Sequence, residues 1–186
     1  MTTQVAVNTL NGLDLGVLRE TVEAVKQKPE LGKCRFRASN TWIEGSQNRT
    51  TVSGFFAAGE ERQHRKPFNM QADEPPMLAG RDEAPNPVEH LLHALASCVT
   101  TSLVAHAAVR GIPIKAITSE LEGDINLRGF LGLADDVPKG YTNIRVKIKA
   151  KTDAENLKQL EALARYSPVL NTLTMGTNVG IKIEPA

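Results

Sequence analysis

The sequence of 186 residues holds only two cysteines, Cys34 and Cys98, far apart and without a CxxC spacing. A disulfide framework is thereby excluded, and a structural zinc site has too few thiolates. In a reducing compartment such thiols are structural or reactive rather than cross-links. Net charge is equally scarce: 22 Lys and Arg against 21 Asp and Glu leave +1, with the cations scattered along the chain. Nucleic acid and anionic membrane surfaces need a concentrated basic field, so neither is expected as a partner. No basic-then-apolar leader opens the sequence and no uninterrupted apolar run is long enough to span a bilayer, so a cytoplasmic location is expected. There is no internal repeat, no low-complexity segment and no glycine-rich phosphate loop, and hence no expected nucleotide cofactor. His90 and His93 stand at i, i+3, and Glu89 and His93 at i, i+4, but no third convergent ligand and no HExxH pattern joins them. No metal is expected either.

What is present is clearly patterned. Hydrophobic residues at 41% and charged residues at 23% describe an ordinary globular chain of one domain's length. Residues 13–28 read as an amphipathic helix with Leu15, Leu18, Val22 and Val25 on one stripe, stopped by Pro29. The period then changes. "KCRFRASNTWIEG" alternates as a strand, with Cys34, Phe36, Ala38 and Trp42 toward one side and Arg35 and Arg37 toward the other. "RTTVSGFFAAG" and "RKPFNMQADEP" read as two more strands around the charged turn "GEERQHR", followed by the connector "DEPPMLAGRDEAPNP".

A helix over 87–110 comes next, with proline in its first turn and Gly111 as its stop. "IKAITSELEGDINLRG" and "GYTNIRVKIKAKT" read as two strands joined by "FLGLADDVPK". Asp153 or Thr152 is expected to cap a helix through "AENLKQLEALARY", ended by Ser167-Pro168, and "NVGIKIEPA" closes as a last strand. The order α-β-β-β-α-β-β-α-β, with strands in runs, favours an α+β fold with antiparallel pairing.

The central helix places one thiol among apolar neighbours. Cys98 shares its face with Leu91, Ala94, Leu95, Thr101, Ser102 and Ala105, while Leu92, Ala96, Val99 and Leu103 lie opposite. A helix apolar nearly all round belongs where more than one side is covered. Two readings of Cys98 stay open on this pattern. It is an inert core thiol, or a reactive thiolate whose pKa a cation from elsewhere in the fold lowers. Phe36, Trp42, Phe55, Phe56 and Phe68 could line an apolar pocket or simply fill a core.

Three stretches, "ADEPPMLAGRDEAPNPVEHLLHALASC", "DINLRGFLGL" and "SPVLNTLT", resemble the OsmC/Ohr family of stress-induced, thiol-dependent peroxide-reducing proteins. The resemblance runs from about Arg35 to the C-terminus. It divides the chain into an N-terminal helical extension, 1–32, and an OsmC-like domain, 33–186. It implies an α+β fold of antiparallel strands wrapped around two central helices, intertwined as a homodimer with sites at the subunit interface.

The family's chemistry carries over residue by residue. Cys98 falls on the cysteine that attacks a small organic hydroperoxide, and Arg49 is the candidate for the arginine that stabilises its thiolate. Two positions depart from the pattern. In peroxide-reducing members the acid follows Asn-Pro directly, but here Val88 stands there and Glu89 comes one residue later, about 100° further round the helix. Glu89 is therefore either an arginine partner in altered geometry or a favourable charge at the helix start. The resolving cysteine is replaced by Ser167, so regeneration needs Cys34 or an external thiol reductant. The alternative is a non-catalytic relative that binds an apolar small molecule at the dimer interface.

Overall fold

The structure, a computed structural model, describes residues 9–185. Residues 1–8 of the expected extension and Ala186 of the expected last strand lie outside the described residues. The chain forms two compact units, an N-terminal one of residue 9 and residues 14–91 and a C-terminal one of residues 10–13 and 92–185.

Strands β1 (Thr9–Leu10) and β2 (Leu13–Asp14) make a minimal hairpin turned by Asn11 and Gly12, both at positive φ (53° and 78°). The Asn11 side chain donates to the Ile112 carbonyl at 3.0 Å and accepts from the Ile114 N–H at 2.8 Å, within the C-terminal unit. Asp14 then caps α1 (Leu15–Gln27), its carboxylate accepting from the N–H groups of Gly16 and Val17. The expected helix is present, but its expected apolar stripe is not a buried one. Leu15 is buried, whereas Val22 is 48% exposed. Pro29 opens a 3₁₀ turn, Pro29–Gly32, rather than simply stopping the chain.

"KCRFRASNTWIEG" forms two strands rather than one, β3 (Arg35–Phe36) and β4 (Ser39–Glu44). Both lie antiparallel along the same edge of β5 (Gln47–Ala57), and β6 (Glu60–Ala72) lies along the other. The charged turn expected at "GEERQHR" shrinks to Ala58 and Gly59, both at positive φ (53° and 83°), the geometry that the right-handed twist of a tight hairpin asks for. The charges belong to β6, where the Glu61 carboxylate takes both arms of the Arg37 guanidinium at 2.7 Å. Phe36 and Trp42 do not face a core: they are 75% and 69% exposed, on a sheet that nothing in the described chain covers there.

Helix α2 (Pro87–Val109) is as expected. Gly111, at φ 73°, ends it, with its N–H on the Ala108 carbonyl and the Ile112 N–H on Ala107. This is the paired bonding of a left-handed glycine cap. By length and composition α2 could cross a membrane, with mean hydropathy 1.5 over its most apolar window, more apolar than the sequence reading allowed. Its stripe Leu95, Val99, Leu103 and Ala107 instead lies in the core of the C-terminal unit.

That core is completed by an antiparallel pair, β7 (Ala116–Asp124) with β8 (Asn143–Lys151). Between them the expected strand stops at Asp124, and Asn126 caps a short helix α3 (Leu127–Phe130). Then come α4 (Leu157–Leu163), continued by a 3₁₀ turn at Ala164–Tyr166, and α5 (Pro168–Met175). Neither Thr152 nor Asp153 caps with its side chain; the Thr152 hydroxyl donates to the Pro113 carbonyl at 2.7 Å. Leu160, Leu163 and Ile112 pack against the α2 stripe, with Ile117, Leu121, Ile144 and Ile148 from the sheet. Each such buried aliphatic side chain stabilises by about 1.5–3 kcal/mol.

Two readings near the C-terminus are corrected. Ser167-Pro168 ends one helix but also opens α5, because a serine N-cap followed by proline is preorganised for a new first turn. The expected last strand has no regular structure over residues 176–185.

Candidate functional site

The start of α2 is built by a reciprocal pair. The Glu89 N–H donates to the Asn86 side chain at 2.8 Å, and the Asn86 N–H donates to the Glu89 carboxylate at 2.9 Å. This is a capping box: each side chain satisfies an N–H that the helix leaves over. One turn along, the His90 ring donates through Nε2 to the Gln71 carbonyl at 2.8 Å, tying the helix start to β6. Among the described residues no trio of His, Cys, Asp or Glu is arranged to hold a metal.

Further along α2, Cys98 is a free thiol and half-buried. The core takes its neighbours Leu95 and Val99, and Cys98 turns to the side of that stripe. Ser97 and Thr101 bond back to carbonyls one turn earlier in the same helix, His93 and Ser97, at 2.9 Å each. Near the C-terminal end, the His106 ring stacks on Tyr166 at 4.1 Å and accepts a hydrogen bond at Nδ1 from Arg110 at 3.2 Å. Burial first, and then the Arg110 charge, lower the His106 pKa, so its imidazole is neutral at neutral pH.

Arg49 lies on β5, paired in register with Thr41 and Gln71, and is exposed. It lines a cavity of about 200 Å³ together with Gln47, Gln71, Asp73 and Glu83. Arg49 and Glu89 belong to the N-terminal unit and Cys98 to the C-terminal one. No ion pair joins Arg49 to Glu89, whose carboxylate serves the Asn86 N–H instead.

The connector holds the polar centre that the sequence reading missed. Asp73 is 1% exposed. Its carboxylate accepts from Ser46 Oγ at 2.5 Å, from the backbone N–H groups of Glu74, Arg81 and Glu83 at 2.8–3.3 Å, and from the Gln47 amide at 3.4 Å. The Ser46 bond, with the backbone bonds behind it, outweighs burial and holds the Asp73 carboxyl well below the usual carboxylate range. Ala79 and Asp82 adopt positive φ to let the loop fold over this carboxylate. A signal was available: an aspartate directly after a strand and before Glu-Pro-Pro is the residue type that gathers the N–H groups of a following turn.

Ser167 is fully buried, and its hydroxyl accepts from the Leu170 N–H at 3.2 Å as the α5 cap. Cys34 is exposed at the start of β3, and both cysteines are free. Phe36, Phe55, His64 and Phe68 form a row of ring contacts at 4.9–5.8 Å across the N-terminal sheet, in place of the expected apolar pocket. The larger apolar cavity, about 490 Å³, lies elsewhere, in the C-terminal unit between α2, β8, α4 and α5.

The molecule is thus an α+β protein whose one thiol on a central helix stands half-open beside the core stripe. The model of the OsmC-like protein family matches residues 80–182, more than half of the chain, and the chain belongs to that family. Solved structures agree on the fold. An OsmC-like protein from Mycoplasma pneumoniae is similar at TM-score 0.56 and 17% identity, over 75% of this chain and 87% of its own. An OsmC-like protein of unknown function from Vibrio cholerae matches at TM-score 0.56 and 12% identity, over 74% and 92%. A protein from Psychrobacter arcticus named for osmotic stress induction and detoxification response matches at 0.54 and 18%, over 73% and 85%. No curated protein matches the sequence significantly.

Proposed function

We propose that this OsmC-like protein is a cytoplasmic homodimer that reduces small organic hydroperoxides through Cys98. The observation that carries the reading is the placement of this thiol, half-open on the central helix while its neighbours Leu95 and Val99 are committed to the core. In the reaction the Cys98 thiolate attacks the distal oxygen of the peroxide. The O–O bond breaks, the alcohol leaves as alkoxide and takes up a proton, and the sulfur becomes a sulfenic acid. An external dithiol then displaces hydroxide from the sulfenic acid as water and forms a mixed disulfide. Its second thiol closes a disulfide on the reductant and releases Cys98 as thiol. Arg49 is the proposed cation for the thiolate and the peroxide. An external reductant is required because Ser167 is a hydroxyl buried in a helix cap and both cysteines are free.

A second reading is favoured by the occupations of Glu89 and Ser167. Both stand where the family's chemistry would be sought, and both serve as helix caps. On this reading the chain binds an apolar small molecule at the dimer interface without turnover.

Consumption of cumene hydroperoxide with a dithiol reductant, in wild type and Cys98→Ser, separates the two. Turnover that disappears in Cys98→Ser supports the peroxidase. Equal consumption in both proteins, or none above the reductant blank in a folded chain, overturns it.

A further inference from the structure

Residues 177–185 leave α5 without a single backbone hydrogen bond, and the pair between Lys182 and Glu184 is their one polar contact. That pair spans i, i+2, the spacing of side chains on one face of an extended strand. The other face is apolar and bare: Val179, Ile181 and Ile183 are 77%, 85% and 93% exposed. Three β-branched side chains alternating with polar ones, on an unpaired backbone, make a strand without a sheet.

A matching vacancy lies in the C-terminal unit. Its sheet has two strands, so β8 is paired with β7 along one edge and open along the other. On the core side, β8 borders the cavity of about 490 Å³ through Val146, Ile148 and Ala150. Two of the cavity's apolar side chains, Val146 and Leu157, are still 39% and 47% exposed. On the outer side of β8, Arg145 and Lys149 are paired with acids of β7, while Lys147 between them has no ion pair.

The geometry points to an exchanged strand: residues 178–184 of one chain add to the open edge of β8 in a second copy of the same chain. Ile181 and Ile183 fill the apolar cavity, and Glu184 comes to the face that carries Lys147. The inference rests on the homodimer proposed above and names the segment that makes it. A second copy is the occupant because this chain's own tail leaves Ile183 almost wholly exposed while the cavity of the same unit stands open. Two chains exchanging tails in this way form a closed, two-fold contact in which each gives and receives the same strand. Seven extended residues reach roughly 23 Å, ample to cross between two surfaces in contact.

The test uses the full chain and the variant Ile181→Asp/Ile183→Asp, whose substitutions sit on exposed positions and leave the circular dichroism of the monomer unchanged. Light scattering over a dilution series reads the dimer, and hydrogen exchange reads the amides of 178–184. The expected result is a wild-type dimer whose tail amides are protected and lose protection on dilution, with dimerisation weakened roughly tenfold or more in the variant. A wild-type dimer with unprotected tail amides, or equal dimerisation of the variant, overturns the exchange and leaves the dimer standing. Protection that persists in the monomer overturns it too, assigning the tail to its own sheet. A wild-type chain that never pairs overturns both the exchange and the homodimer.

Discussion

Asn86 and Glu89 hold each other at the start of α2, each backbone N–H donating to the other's side chain at 2.9 and 2.8 Å. The carboxylate that the family's chemistry would direct toward an arginine is thereby bound to the helix end. Glu89→Ala should cost about 1 kcal/mol of stability in urea denaturation. The peroxide-reduction rate per folded molecule should stay unchanged. Full stability together with a collapsed rate would return Glu89 to the reacting groups.

Asp73 should give the protein an acid-sensitive step. Its folded pKa lies below the model value of 3.8, mainly through the Ser46 hydrogen bond. The sign follows: the contribution is fully present above that value and is lost as pH falls below it, because the unfolded chain then takes up the proton first. Thermal melts between pH 5 and pH 2 should show wild type losing stability more steeply than Asp73→Asn, which starts lower but varies less. Parallel curves for the two proteins would contradict this.

Gly80 is fixed by space rather than by dihedral angle. A Cβ there would lie 1.6 Å from the Glu74 carbonyl oxygen, inside the loop that Asp73 gathers. Gly80→Ala must open the loop, and a melting temperature lower by about 5 °C or more is expected. An unchanged melting temperature would mean the loop has room that this close approach denies.

His106 should titrate below the model value of 6.5, since burial and the neighbouring Arg110 both oppose its protonation. Protonation therefore favours the unfolded chain, and the His106 contribution fades as pH falls below that value. Arg110→Ala removes the second cause and should raise the His106 pKa in an NMR titration, while Tyr166 still stacks on the ring. A lower pKa in the variant would show that Arg110 stabilises the imidazolium instead.

How far the sequence could be read follows from how local each determinant is. α2 and its glycine stop were legible because the period, Pro87 and Gly111 all lie within the element itself. β8 was legible for the same reason, its alternation being uninterrupted from Ile144 to Ile148. "GEERQHR" was misread because a tight turn of Ala58 and Gly59 carries no Asn-Gly signal, and the charges beyond it look like a loop. α5 was missed because Ser167-Pro168 reads as a stop until its second use, as a cap, is considered. At the candidate site, Cys98 was found from its helix. The role of Asp73 depends on partners from Ser46 to Glu83, and that convergence is a property of the folded loop rather than of any window of sequence.

The Asp73 loop bears on how the chain meets a protease. An arginine in a proline-rich connector is ordinarily among the first bonds trypsin finds, since cleavage requires several residues to swing out into an extended path. Here the Arg81 N–H is held by Asp73 and its guanidinium by Glu44, at 3.2 and 2.9 Å. Swinging Arg81 out would break both bonds and disturb the carboxylate on which the neighbouring turns depend. The connector is sequence that looks like a tether and folds like a knot of polar bonds, so limited digestion should spare it and begin instead in the unbonded tail beyond Gly176, at Lys182.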